Sequence, residues 1–140
     1  MNGSFKDLKV YRKAYELATE IFRVSQTFPK EERYALMDQI RRSSRSVCAN
    51  IAEAYRKRRY IKHFTSKITD ADGEASETLV WIDFARDAVY LKDNSYDSLA
   101  EGYEEVGRML GGMADHPERF LPKTVQVSDD LAAQYGFDDD

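Results

Sequence analysis

The chain has 140 residues, one domain's length, enough to bury about two-thirds of the surface that the unfolded chain exposes. It carries 21 Lys/Arg against 25 Asp/Glu, a net of −4, and one cysteine, Cys48, which excludes an internal disulfide and suits a reducing compartment. No apolar run approaches the roughly 20 residues that span a bilayer, and the first residues lack a signal-peptide core, so a soluble cytoplasmic protein is expected.

In chain order, Ser4 with Asp7 three residues on reads as a helix cap. Leu8, Tyr11, Ala14, Leu17, Ala18, Ile21 and Phe22 then recur at spacings of three and four, the mark of a core-facing helical stripe. Pro29 fits the first turn of a second helix, whose stripe is Leu36, Ile40, Val47, Ile51 and Tyr55. A third stripe reads Ile61, Phe64, Ile68, Ala75, Leu79, Ile82 and Val89. Asp93-Asn94-Ser95 supplies a turn and cap, and Tyr96, Leu99, Tyr103, Val106 and Leu110 mark a fourth helix that Gly111-Gly112 and Pro117 end. No alternating strand pattern competes. The expected fold is all-α, an antiparallel up-down-up-down four-helix bundle over residues 1–122, followed by an acidic tail at 123–140 that either docks by its aromatics or is disordered.

Between Pro29 and Gly73 there is neither glycine nor proline. Periodicity alone allows a rod on the order of 90 Å long. A compact core argues for a bend, and Arg56 to Tyr60 is where the two stripes divide.

The whole-chain charge conceals a polarity. Residues 41–67 hold nine Lys/Arg against the single acid Glu53, a net of +8, whereas residues 70–140 hold five against eighteen, a net of −13. On helix two at 100° per residue, Leu36, Ile40, Val47 and Ile51 fall within about 60°, and Arg41, Arg45, Arg56 and Arg59 share a separate face of about 60°. Gln39, Arg42, Ser46, Asn50, Glu53 and Lys57 form a third row, placed opposite the core. Three readings compete for the cations: favourable placement at a helix C-terminus, a basic face meeting the acidic helices of another copy, and phosphate binding.

Catalytic chemistry finds little support. Asp70, Asp72, Glu74 and Glu77 line helix three, but neither His63 nor His116 has a Glu three residues before it, as a di-metal bundle site needs. Asp70-Ala71-Asp72-Gly73 fails as a calcium loop, because Ile68 and Leu79 would stand at ligand positions. No glycine-rich phosphate loop or nucleophile arrangement is present. Cys48 and Trp81 read as packing residues. No enzyme activity, cofactor or metal is expected.

Certain motifs carry a family likeness: Phe5-x-Asp7-Leu8, Phe28-Pro29-x-Glu31, Tyr34-x-Leu36, Gln39-Ile40-Arg41-Arg42-Ser43-Ser44-x-Ser46-Val47, Asn50-Ile51-Ala52-Glu53, and Gly73-x-x-x-Glu77-Thr78. Over about residues 5–115 the chain resembles the small four-helix-bundle proteins encoded within intervening sequences of bacterial large-subunit ribosomal RNA genes. Through them it is similar to the accessory variability determinant protein of diversity-generating retroelements. The resemblance implies a ring-shaped homopentamer with a basic surface suited to nucleic acid. It also implies a structural polar set, Gln39, Asn50, Glu53 and Glu77, forming a hydrogen-bonded seam between helices or subunits. Ala54 departs from the glycine common in that family, and the acidic tail lies beyond the pattern.

The expected function is non-enzymatic binding of structured RNA, or of an RNA–protein complex, by an oligomer. Arg41, Arg42, Arg45, Arg56, Lys57, Arg58, Arg59 and Lys62 are the expected phosphate contacts, converging in one patch. Readout of bases is not expected, for no aromatic-plus-basic platform is evident. The alternative is a scaffold module whose basic face binds an acidic protein or a neighbouring subunit.

Overall fold

A computed structural model describes residues 3–122; the acidic tail expected over 123–140 lies outside them. Four helices form an antiparallel bundle: α1 (Lys9–Ser25), α2 (Leu36–Arg56), α3 (Ile61–Asp87) and α4 (Asp93–Asp115). Each packs on the next, and α4 closes back on α1. Among the described residues no helix is long and apolar enough to cross a membrane.

The stripes meet as their spacing demands. Ile21, Ile40, Val47, Ile51, Phe64, Ile68, Ile82, Leu99, Tyr103, Val106 and Leu110 are all buried, each large side chain contributing about 1.5–3 kcal/mol through removal from water. Small residues set the tightest approach. Ser43, Ala71, Ala75 and Thr78 are buried between α2 and α3, and the hydroxyls of Ser43 and Thr78 lie 2.8 Å apart, one donating to the other. On the other side, Gly102 of α4 faces Leu17 of α1 so closely that a Cβ there would stand 2.5 Å from a Leu17 methyl.

The ends differ from expectation in instructive ways. Ser4 and Asp7 do form a capping box, but over a 3-10 turn at Phe5–Asp7 that precedes α1. Pro29 likewise introduces a 3-10 turn, Lys30–Glu32, and not α2 itself. There the Glu32 carboxylate accepts from the Leu36 amide at 3.3 Å and from the Tyr90 hydroxyl at 2.9 Å, which ties the start of α2 to the far end of α3. Asn94 and Ser95 do not cap α4, which begins at Asp93 with no side-chain cap. Gly111 and Gly112 sit within α4, because its backbone hydrogen bonding continues to Asp115 before Pro117 ends it.

The α2–α3 reversal falls at residues 57–60, inside the segment the periodicity marked. Lys57 donates to the Glu53 and Ala54 carbonyls, Arg58 to Tyr55 and Tyr60 to Lys57. No residue in this turn adopts a positive φ, so no glycine is required and none advertises it.

Val89 was expected in the core stripe of α3, but it lies beyond the helix and is 85% exposed. It holds a φ of 62°, the left-handed C′ position of a Schellman cap: its amide donates to Arg86 and that of Tyr90 to Ala85. A β-branched residue is strained there, at about 1–2 kcal/mol. Val89→Gly is therefore expected to raise the unfolding free energy by about 1 kcal/mol in urea titrations, after allowance for glycine's greater unfolded-state entropy. An unchanged or lower midpoint would contradict this account of the cap.

Candidate nucleic-acid interface

The eight cations singled out from the sequence do not form one patch. Five belong to the α2–α3 turn, two lie on the α1 flank of α2, and one faces α3.

At the turn, Arg56, Arg59 and Lys62 are exposed, and none makes an ion pair or side-chain hydrogen bond among the described residues. Arg58 folds back instead, donating to the Tyr55 carbonyl at 2.9 Å with its guanidinium 3.9 Å from the Tyr55 ring centre. Lys57 pairs with Glu53 at 3.5 Å, and Lys67 reaches the same carboxylate at 3.4 Å. Lys67 and then Lys57 hold Glu53 below the usual carboxylate range, against a desolvation effect that is the largest single influence and acts upward. The segment's one acid is thus already shared between two lysines. The start of α3 adds to the positive potential: its N-cap Tyr60 makes no side-chain cap, and no acidic residue occupies its first turn. The first amides of a helix have no intrahelical acceptor and favour an anion, and here the cation Lys62 occupies that turn instead.

On the α1 flank, Arg41 donates to the Ser25 hydroxyl at 2.8 Å and to the Phe22 carbonyl at 3.2 Å, closing the C-terminal end of α1. Its guanidinium lies 4.4 Å from the Phe22 ring centre, and that of Arg45 lies 5.6 Å from the same ring. Burial first, and Arg45 second, lower the Arg41 pKa from its ordinary value, although the group stays charged. From Arg45 to Arg56 the helix rises roughly 16 Å, past the uncharged Ala49 and Ala52. The two centres are separate.

Arg42 is committed elsewhere. It pairs with Glu77 and, at 3.4 Å, with Glu74, while the Trp81 indole donates to Glu77 at 3.2 Å. The row expected opposite the core therefore runs along the flank shared with α3, where Arg42 and Glu53 reach across. Of the expected polar set, Glu53 and Glu77 bridge α2 and α3. Among the described residues, the Asn50 side chain donates to Ser46 of its own helix, at 2.9 and 3.1 Å. The Gln39 side chain is exposed.

The sequence model of the 23S rRNA-intervening sequence proteins matches residues 6–112. The chain belongs to that family. A solved structure described as a protein of unknown function from the S23 ribosomal protein family of Bacteroides thetaiotaomicron superposes with a TM-score of 0.69 at 27% identity, covering 76% of this chain and 95% of that one. No protein with a curated description matches.

The span shared with the intervening-sequence proteins contains all three cation groups. It also contains a feature that sequence reasoning missed, an aromatic and basic platform between α1 and α2. Tyr11, Tyr15, Ala18, Thr19, Phe22, Arg45 and Cys48 line a groove of about 410 Å³ there. Phe22 was placed in the core stripe by periodicity, yet it is 41% exposed and Tyr15 is 58% exposed. The available signal was the second row 11, 15, 19, 22, a helical stripe displaced from the core stripe toward the arginine face of α2.

Proposed function

We propose that this protein is a non-catalytic, oligomeric nucleic-acid-binding protein that contacts phosphates of structured RNA, or of an RNA–protein complex, through the α2–α3 turn. One observation carries the reading: Arg56, Arg59 and Lys62 project into solvent without carboxylate partners, beside an uncapped helix N-terminus. Cations left unpaired in this way interact with a polyanion at no cost in broken internal pairs. Arg58 and Lys57 lend charge from the same turn, and Arg41 with Arg45 form a second contact point. Arg42 is excluded from the contact set by its pairing with Glu74 and Glu77. The family description, which ties these proteins to 23S rRNA, points the same way.

A salt series tests the reading. The log of affinity for a fluorescent RNA hairpin is expected to fall linearly with log salt, steeply enough to report several phosphates neutralised. A flat response, or no binding at about 50 mM salt, removes it.

The second reading is a scaffold, with the basic turn docking on acidic protein. It draws on the exposed acids of α4, Asp97, Glu101 and Glu104, and on the exposed Val80 and Phe84 of α3, which offer a neighbouring copy both charge and apolar surface. Sedimentation at micromolar concentration bears on assembly in either case: a 16.2 kDa species alone would remove the oligomer.

A further inference from the structure

The groove between α1 and α2 is built differently from the turn. Its wall is a row of rings on α1: Tyr11 and Tyr15 have centres 6.0 Å apart and tilted by 34°, and Phe5 meets Tyr11 edge-on at 5.0 Å. Phe22 continues the row about two turns on. Ala18, Thr19 and Cys48 keep the floor low. Along the far rim stand Arg41 and Arg45, both above Phe22. Arg41's partners, a hydroxyl and a carbonyl, orient it without cancelling its charge. Neither guanidinium meets a carboxylate among the described residues, so two like charges stand near one ring unrelieved. Lys6, Arg12 and Glu16 flank the Tyr11–Tyr15 end; Glu20, the next acid along α1, is occupied by Arg23.

An occupant must therefore supply flat, polarisable surface for the exposed rings and negative charge for the rim, a few ångströms apart. An unpaired nucleotide does both: aromatic side chains stack on any base, and arginine meets phosphate through paired N–H donors. From Tyr11 to Phe22 the row runs about 16 Å along the helix, room for two or three nucleotides. A duplex cannot use it, because its bases are already stacked on each other.

We infer that this groove binds unpaired nucleotides of a single strand, with bases against Tyr11, Tyr15 and Phe22 and a phosphate on Arg45 beside Arg41. The inference rests on the nucleic-acid reading above and adds to it a second, base-contacting site.

The test compares a 12-nucleotide single strand with a blunt-ended RNA duplex and with an abasic strand of equal length. The native protein is expected to bind the strand about tenfold more tightly than the abasic one. Tyr15→Ala is expected to lower strand affinity about tenfold and Tyr15→Phe to keep it, with duplex affinity changed by less than about twofold in both, since Tyr15 contributes no charge. A strand carrying 5-iodouridine is expected to photocrosslink to the peptide containing Tyr11 and Tyr15, a readout that needs no substitution. Crosslinks confined to the peptide around Tyr55 and Tyr60, or equal binding of the abasic strand, would overturn the inference while leaving the turn's phosphate role intact. Displacement of the strand by an acidic, tyrosine-containing peptide more readily than by unlabelled strand would overturn it in favour of a protein partner. Failure of both duplex and strand to bind at about 50 mM salt would remove the two readings together.

Discussion

Replacing Arg56, Arg59 and Lys62 together by alanine is expected to weaken binding of a structured RNA on the order of a hundredfold at low salt, from roughly 1 kcal/mol per lost charged contact. The slope of log affinity against log salt should become shallower by about three, one unit for each phosphate contact given up. These positions are suited to a clean measurement. None takes part in an ion pair or side-chain hydrogen bond among the described residues, and Arg56, Arg59 and Lys62 are all exposed. The fold should tolerate the change to within about 0.5 kcal/mol, as surface substitutions usually do. Arg42→Ala makes the contrasting case: it strips Glu74 and Glu77 of their partner and should lower stability more than affinity. If the triple variant binds RNA as the native protein does, the turn is not the contact surface.

The second large effect concerns alkaline pH. The Cys48 thiol, beneath the aromatic groove, is pushed by burial from an ordinary 9.0 up to about 11. Tyr103, fully buried, has a hydroxyl with no hydrogen-bond partner. Burial raises its pKa well above the ordinary 10.0, nearby Cys48 pushes it further, and Ser44 eases the shift without closing a hydrogen bond. In both residues the fold favours the neutral form. Their contribution to stability is complete below the unfolded pKa and is lost as pH rises toward the folded one. Through Cys48 the unfolding free energy should fall by about 1.4 kcal/mol per pH unit between pH 9 and pH 11, roughly 3 kcal/mol in all. Tyr103 adds its own loss above pH 10. Urea titrations across pH 7–11 check this. Cys48→Ala should flatten the first limb and Tyr103→Phe the second. Tyr103→Phe should also gain about 1 kcal/mol at neutral pH, because it removes a buried polar group with nothing to bond to. Parallel pH profiles for all three proteins would refute the assignment.

The core was legible because spacings of three and four admit one solution when four amphipathic stripes must share an interior. Ile40, Val47, Ile51, Ile68, Ile82, Leu99 and Val106 all lie where that pattern put them. Helix ends were harder, since several rest on contacts that are distant in the chain. The start of α2 is fixed by Glu32 reaching Leu36 and Tyr90, 58 residues beyond it. Val89 misled because its local chemistry opposes the conformation it adopts. At the candidate site, composition located the cations but could not sort them. Arg42 differs from Arg41 only by 100° of rotation, which turns one toward the carboxylates of α3 and the other toward the ring of Phe22. The platform was invisible for a similar reason: Tyr11, Tyr15 and Phe22 belong to one helix and Arg45 to another, and only tertiary packing makes them neighbours.

The reversal between α2 and α3 has one more consequence. Its four residues, 57–60, contain no left-handed backbone, no glycine and no proline, so nothing intrinsic forbids helix from running straight through. What folds the hairpin shut is the apolar seam on either side, led by Ile51, Ala54, Phe64 and Ile68. Any second chain offering the same seam satisfies it equally well. Exchange of the α1–α2 and α3–α4 halves between two copies would therefore keep the same seam and change mainly this hinge. Concentrated refolding is the condition that selects for it.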